Sequence, residues 1–348
     1  MSRGIIVTTE PSPGTRRSPS MAEVADAAGV SMQTVSRVAR GFDNVSPDTR
    51  LRVQAVMTSL GYRPNRAARA LRSGRFRTIG VIMFTLASFG NMRTLEAIAD
   101  AAGVADFTIT LLPMASRTGE GVRSAFSRLH EQAVDGVIII IESHVIDTAE
   151  VALPDGVPVV VVDSTGTTDH PAIDTDQTQG ARLATQHLLD LGHDTVWHVA
   201  GPSSSYSAAR RLAAWQSTLE RAGRTVPPVF RGDWNTSSGY RAGLEIAERP
   251  EITAVFAAND QTALGILRAC HELGRAVPSS LSVVGFDDSP ESDSFWPPLT
   301  TVHQSFDEVG RRAVATLLAQ IDGEVVATAT DLVPVRLVER ASTAAPAR

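Results

Sequence analysis

The sequence predicts a small all-α helix-turn-helix unit with a hinge helix behind it, then an α/β body of two doubly wound parallel-sheet subdomains. Three observations carry that prediction. The stretch Ser20–Arg37, SMAEVADAAGVSMQTVSR, holds two short helical patterns around a glycine, and from Thr78 onward apolar runs of strand length alternate with amphipathic stretches of helix length. Charge divides along the same line: residues 1–77 carry 13 arginines against five acidic residues, and the remainder 19 against 33. A formal net charge of -6 therefore hides a basic head on an acidic body.

The composition bounds what the chain can be. Its 348 residues with 43% hydrophobic content suit two or three domains with buried cores. No apolar run approaches the roughly 18 residues of a membrane span. The N-terminal patch Gly4–Val7 is shorter than a secretory apolar region of about 7 residues or more, so a cytoplasmic protein is expected. The single cysteine, Cys270, excludes an intrachain disulfide, and its apolar run ALGILRAC predicts a buried structural thiol. There is no lysine, which excludes a Walker A phosphate loop and a Schiff-base lysine. GxSxG, HExxH, CxxC and a GxGxxG following a strand are also absent. The eight histidines are scattered, and His187 and His193 read as surface or capping groups in place of metal ligands. Ser203–Ser205 reads as a loop or helix start. No catalytic residue, metal or cofactor is expected.

Taken in order, residues 1–18 form an arm rich in Pro, Ser, Gly and Thr that ends in Arg16 and Arg17. Ser20 and Glu23 form a capping box for the first short helix. Gly29 supplies the turn, and Ser31 caps the second helix. Val24, Ala28, Val30, Val35 and Val38 face inward, which turns Met32, Gln33, Ser36 and Arg37 outward. A small helical hairpin would share this pattern; a helix-turn-helix whose second helix enters a DNA major groove explains the outward face as well. Ser46-Pro47 opens a third helix, Val53, Val56, Met57 and Leu60 repeat on its inner side, and Gly61 stops it. The segment Tyr62–Arg75, YRPNRAARALRSGR, carries five arginines. It reads either as a solvated linker or as a hinge that folds on DNA, with Ala68 and Leu71 on one face and Leu71 as a minor-groove wedge.

Buried strands are predicted at 78–84, 107–112, 136–141 and 158–163, and in a second series at 195–200, near 230, at 252–258 and at 281–286. Helices at Gln179–Leu191 and Ser207–Ala222 fall among them. Two series of four predict two similar subdomains with parallel sheets covered on both faces. Ligands of such sheets bind outside the carboxyl ends of the strands. Asp163, Asn259 and Asp287 end three strands there, and with Arg211 they suit the paired hydroxyls of a polyol. Trp234 can stack on a sugar ring. Asp260 and Asp288, at the same strand ends, read as cap or turn residues.

A helix-turn-helix, an arginine-rich hinge and a two-subdomain body in this order resemble the lactose repressor (LacI/GalR) family of transcription regulators. The segments that carry the resemblance are EVADAAGVSMQTVSRV, VSPDTRLRV, GYRPNRAARAL, RTIGV, VVD, HLLDLGH, AGPSSSYSAARRLAAW, GDW, AANDQTALG, SVVGFDD and PPLTTVHQSF. They run from about Ser20 to Thr343, and GDW, ANDQ and PPLTT resemble the lactose-repressor branch. The resemblance implies residues 19–63 as the DNA-binding domain, 64–77 as the hinge, 78–343 as a periplasmic-binding-protein-like sugar-binding and dimerisation core, and 344–348 as a tail. It implies Met32, Gln33 and Arg37 as base readers. Ser31, Thr34, Asn44, Ser46 and Asn65 would be backbone contacts, with Ala68 and Leu71 in the hinge. In the cleft it implies Asp163, Arg211, Trp234, Asn259, Asp287 and Gln304 as sugar contacts.

Three departures matter. Met32 stands where that branch has a tyrosine, so the operator should differ at one base. Phe84 and Thr85 stand where it has a serine pair, so one edge of the pocket is less polar and the sugar need not be a β-galactoside. The tetramerising leucine-heptad tail has no counterpart in ASTAAPAR, which implies a homodimer. The function so implied is a repressor of sugar-utilisation genes that leaves pseudo-palindromic operator DNA when a small sugar or sugar derivative binds. Corepression by a bound ligand is the alternative on the same scaffold. A sugar-binding transport protein would share the body and leave residues 20–75 without a purpose.

Overall fold

The computed structural model describes residues 19–39, 41–62, 74–83, 85–86, 88–113, 128, 134–140, 156–162 and 170–347. Residues up to Phe76 and residues from Arg77 onward form two compact units. The expectations for Arg16, Arg17, Asn65, Ala68, Leu71, Phe84 and Asp163 lie outside the described residues.

In the first unit, α1 (Met21–Ala28), α2 (Met32–Ala39) and α3 (Pro47–Leu60) enclose one small core. Both halves of the predicted capping box are made: the Ser20 hydroxyl accepts from the Glu23 amide, and the Glu23 carboxylate accepts from the Ser20 amide. Gly29 closes α1 at φ 62°, the left-handed region that favours glycine. Val24, Ala25, Ala28, Val35, Val38 and Val53 are buried, while Val30 is half-buried at the core edge. Leu60 departs from the expected inner face: at 41% exposure it sits in the last turn of α3, past the reach of α1 and α2. Ser46 precedes α3 without capping its backbone; its hydroxyl donates to Thr49 Oγ1 at 2.9 Å instead.

The second unit holds two six-stranded sheets. Its strands are β1 (Thr78–Met83), β2 (Thr108–Pro113), β3 (Gly136–Ile140), β4 (Val159–Val162), β5 (Ala172–Thr175), β6 (Trp197–Ala200), β7 (Phe230–Arg231), β8 (Ala254–Ala257), β9 (Ser282–Asp287), β10 (Thr300–His303), β11 (Thr330–Val333) and β12 (Arg336–Val338). Its described helices are α4 (Phe89–Val104), α5 (Gln177–Asp190), α6 (Tyr206–Arg221), α7 (Thr236–Ala247), α8 (Asp260–Glu272) and α9 (Phe306–Ile321). The first sheet runs β11-β5-β4-β3-β1-β2 and is parallel throughout. The second runs β12-β10-β9-β8-β6-β7 and is parallel except for the edge pair β10 and β12.

All eight predicted strands are present, and each sheet gains two more. β5 and β11 complete the first; β10 and β12 complete the second. These four are short and carry polar residues, as in AIDT and TDLV, so they lack the continuous apolar run of a strand buried on both faces. They also show that the lobes are interleaved. The chain passes from the first sheet to the second between β5 and α5. It returns between β10 and α9, where Val309, Ala313, Val314 and Leu317 join the first-sheet core, and leaves again between β11 and β12. In the second lobe, residues of α5 and α6 pack one face of the sheet and residues of α7 and α8 the other.

His193 corrects an expectation. It is 1% exposed: its ring contacts Thr253 Oγ1 at 2.9 Å, Ser282 Oγ at 3.1 Å and the Ala344 carbonyl at 3.0 Å, and so ties the C-terminal segment to the second lobe. His187, in the last turn of α5, is half-buried and meets Thr343 Oγ1 at 3.0 Å. Asp260 is a structural residue, as expected, but as a buried acceptor more than a simple cap. One oxygen takes the Ser289 amide and the Ser292 hydroxyl, each at 2.7 Å, and the other takes the Thr301 hydroxyl. Asp288 pairs with Arg340 at 2.6 Å and with His303 at 2.9 Å. Cys270 is buried, as its apolar run predicts, and burial pushes its thiol up to about 11.

Candidate functional site

On the first unit, α2 presents a polar face with one apolar residue in it. The Ser31 hydroxyl accepts from the Thr34 amide at 3.1 Å and lies 3.0 Å from the Thr34 hydroxyl, so both side chains fix the helix start. Met32 is 58% exposed, Gln33 is exposed and Arg37 is half-buried. Asn44 and Ser46 are exposed in and after the turn that follows α2. A helix N-terminus carrying Met32 and Gln33, with Arg37 one turn on, matches the chemistry of a major-groove reader. Glutamine and arginine can bond base edges in pairs, and an apolar side chain can meet a thymine methyl.

On the second unit, a cleft of about 600 Å³, partly open to solvent, lies between the two sheets. Arg211, Trp234, Asn259, Asp287 and Gln304 all line it, as the sequence predicts. Thr85 is half-buried and is not among the lining residues; its carbonyl accepts from Asn91 Nδ2 at 3.1 Å, and Asn91 does line the cleft.

Four buried residues close a polar ring in the cleft wall. Arg211 Nε donates to Gln177 Oε1 at 2.7 Å, Gln177 Nε2 donates to Gln304 Oε1 at 3.3 Å, and Gln304 Nε2 donates to Asp287 Oδ1 at 2.6 Å. Arg211 Nη2 lies 3.7 Å from the same Asp287 oxygen. Arg211 also donates to the Ala258 carbonyl, and its guanidinium stacks 3.6 Å from the Phe286 ring centroid. Burial pushes the Asp287 carboxyl up, the Arg211 charge opposes that, and the neighbouring Asp260 reinforces it. Gln177 opens α5 and Gln304 follows β10, so the ring joins two of the three passages between the lobes.

Local backbone geometry serves the same wall. Asp287 has φ 114° and Trp234 φ 70°, both in a region disfavoured for side-chain-bearing residues, and both line the cleft. The Trp234 ring lies against Gly201, where a Cβ would come within 2.5 Å of it. Asn259 caps α8 through the Thr262 amide at 2.9 Å while its Nδ2 donates to the Trp234 carbonyl at 3.0 Å. A cap residue is thereby also a cleft residue.

Sequence reasoning missed Asp174, Gln177, Ser207, Asn91 and the aromatic pair Phe89 and Phe306, whose rings meet edge to face at 6.0 Å. Ser207 and Arg211 are four apart on one helix, a spacing that could have found Ser207. The others arrive from elements far apart in sequence and leave no local signal. Among the described residues, no group of three or more His, Cys, Asp or Glu side chains could hold a metal ion.

A helix-turn-helix with an outward reading face, carried on one chain with a two-lobed α/β body around a polar cleft, defines a helix-turn-helix regulator with a ligand-binding body. Comparison with known families agrees on both parts: residues 20–65 match the model for bacterial regulatory proteins of the lacI family, and residues 185–343 match a periplasmic binding protein-like domain. The lactose operon repressor of Escherichia coli K12 is 37% identical over 329 residues, 93% of this chain and 90% of that protein. A crystal structure of the lac repressor dimer bound to operator and the anti-inducer ONPF superposes with a TM-score of 0.83 at 35% identity, covering 94% of this chain and all of that one. A complex of the transcriptional regulator CelR with cellobiose gives 0.69 at 31% identity, covering 93% and 99%. The chain belongs to the lacI family of bacterial regulatory proteins.

Proposed function

We propose that this chain is a sequence-specific DNA-binding repressor of sugar-utilisation genes, released from its operator when a small sugar or sugar derivative occupies the cleft. The observation that carries the reading is the polar ring of Arg211, Gln177, Gln304 and Asp287, built where the chain passes between lobes. A ligand that engages both this ring and the first-lobe wall lined by Ile140, Val162 and Asp174 binds most tightly at one angle between the lobes, and a ligand shifts an equilibrium only through such a difference in affinity. Similarity to the lactose operon repressor and to a regulator whose solved structure is a complex with cellobiose supports a sugar as that ligand.

In this reading Met32, Gln33 and Arg37 contact bases, and Ser31, Thr34, Asn44, Ser46 and Asn65 contact the backbone. Residues 64–77 act as a hinge with Leu71 as its wedge, and a homodimer reads a pseudo-palindromic site. Arg211, Trp234, Asn259, Asp287 and Gln304 contact the sugar, with Asp163 and Phe84 as further contacts. The chain binds its effector without turning it over and works in the cytoplasm. No described helix is long and apolar enough to cross a membrane.

The test selects an operator from random duplex DNA with the purified full-length protein. Neutral sugars are then titrated while operator affinity is followed by fluorescence anisotropy. Sugars that bind the body should weaken operator binding. Tightening would assign corepression, and sugars that bind without any effect on DNA would refute the coupling. Consumption of a bound sugar would revive an enzymatic reading.

A further inference from the structure

The first turns of α6 work on two faces. Ser207 and Arg211, four residues apart, line the cleft. Tyr206 and Arg210, each one residue earlier, turn toward the first lobe. Tyr206 is 6% exposed and packs in one cluster with Ile82, Val137, Ile139 and Val161 of the first sheet. Arg210 Nη1 forms an ion pair with Asp174 Oδ2 on β5. Asp174 is 2% exposed, and it also lines the cleft.

Asp174 is thus a buried carboxylate on the first-lobe side of the same cavity that holds the Arg211 ring. It offers about four acceptor sites, more than Arg210 and the Thr175 amide occupy. Each buried carboxylate of the described lining faces one arginine, Asp287 facing Arg211 and Asp174 facing Arg210. A hydroxyl brings the donor that such a carboxylate requires without adding a charge to the buried site.

We propose that Asp174 is a specificity-determining residue that accepts a hydrogen bond from one hydroxyl of a neutral polyol in the cleft, with Arg210 as the positioning residue that orients its carboxylate. The proposal rests on the cleft being the effector site. A ligand held by Arg211 and Asp287 on one side and Asp174 on the other bridges both lobes. Because Arg210 and Arg211 are consecutive on α6, both contacts bear on the same helical turn.

The experiment uses the full-length protein. A thermal-shift panel of neutral mono- and disaccharides, with glucuronate and glucosamine as charged controls, identifies the neutral sugar that binds best. Calorimetry then measures that sugar and its monodeoxy series against wild type, Asp174→Ala, Asp174→Asn and Arg210→Met. One deoxy analogue should bind wild type about tenfold or more weakly, the worth of one hydrogen bond to a charged group. That penalty should vanish in Asp174→Ala, shrink in the isosteric Asp174→Asn, and change in Arg210→Met while penalties at the other hydroxyls stay as they are. Should Asp174→Ala fail to fold, Asp174→Asn carries the comparison. Equal penalties in wild type and the Asp174 variants at every hydroxyl would overturn the assignment with the effector site intact. A panel in which no neutral sugar stabilises wild type would overturn the effector reading itself.

Discussion

Replacing Arg211 with methionine should destabilise the body sharply, and the size of the effect follows from what the guanidinium leaves behind. Asp287 is 5% exposed and would lose the cation that faces it, while Gln177 Oε1 and the Ala258 carbonyl would each lose a donor. Removing one partner from a buried ion pair costs about 3–5 kcal/mol. Methionine keeps an apolar contact on Phe286, and a carboxyl already raised by burial relieves part of the cost by taking up a proton, so about 3 kcal/mol at pH 7 is expected. For a domain of this size 1 kcal/mol moves the midpoint by about 2–4 °C, so Tm should fall by roughly 6–12 °C.

The buried Trp215, 1% exposed, provides a fluorescence signal for the unfolding. Adding Asp287→Asn to the methionine variant removes the stranded charge and should restore about 2 kcal/mol. The pH dependence gives a second check. Without Arg211 the folded Asp287 carboxyl binds its proton more tightly than in wild type, where burial already raises it to about 7, so the penalty should shrink as the pH falls from about 9 toward 7. A loss below about 1 kcal/mol, or a double variant no more stable than Arg211→Met, would refute the account of the ring as a charge-compensated unit.

His198 should contribute an acid-sensitive part of the stability. It is fully buried, stacked 4.6 Å from Phe256 with Nδ1 2.8 Å from the Phe256 carbonyl, and burial pushes it down to about 4. The unfolded state therefore binds the extra proton between about pH 4 and 6.5, and wild type should lose up to about 1.4 kcal/mol per pH unit over that window relative to His198→Phe; parallel urea-unfolding curves would refute this. Gly265→Ala should cost more than about 1 kcal/mol, because its Cβ would sit 2.2 Å from the Thr236 carbonyl where α7 and α8 touch, and an unchanged unfolding midpoint would contradict that packing. Ser31→Ala should cost about 1 kcal/mol in the first unit through loss of the α2 cap, measured by thermal unfolding. Arg37→Ala should cost about 1–3 kcal/mol at one operator position if it pairs with guanine, and a uniform loss across sequences would make it a phosphate contact.

Much of the architecture was legible because it is written in local patterns. The capping box at Ser20 and Glu23, the glycine turn and the apolar spacing of Val24, Val35 and Val38 each depend on residues within one or two helical turns. The strands β1, β3, β4, β6, β8 and β9, interior to their sheets, announce themselves as apolar runs because both their faces are buried. Asp287, Asn259 and Gln304 were readable as cleft residues because strand ends carry ligands in such sheets and because the family segments mark them. Leu60 and His193 show the limit. Whether an apolar residue near a helix end, or a histidine after one, is covered depends on what packs there from elsewhere, and for His193 that is a segment 151 residues further on.

The sequence by itself determined the two kinds of unit, their order, the charge division between them and the main residues of each candidate site. Those follow from period, cap chemistry and composition, which act over short distances along the chain. Only the tertiary structure decided that the lobes are interleaved, with β11 from the C-terminal region beside β5 and α9 against the first sheet. The same long-range assembly brought Gln177 to Arg211 and Asp174 to Arg210, pairs 34 and 36 residues apart. A polar side chain in a short, half-polar strand has no periodic signature. Its role appears only when folding removes water from it and leaves a protein partner to replace the lost hydrogen bonds.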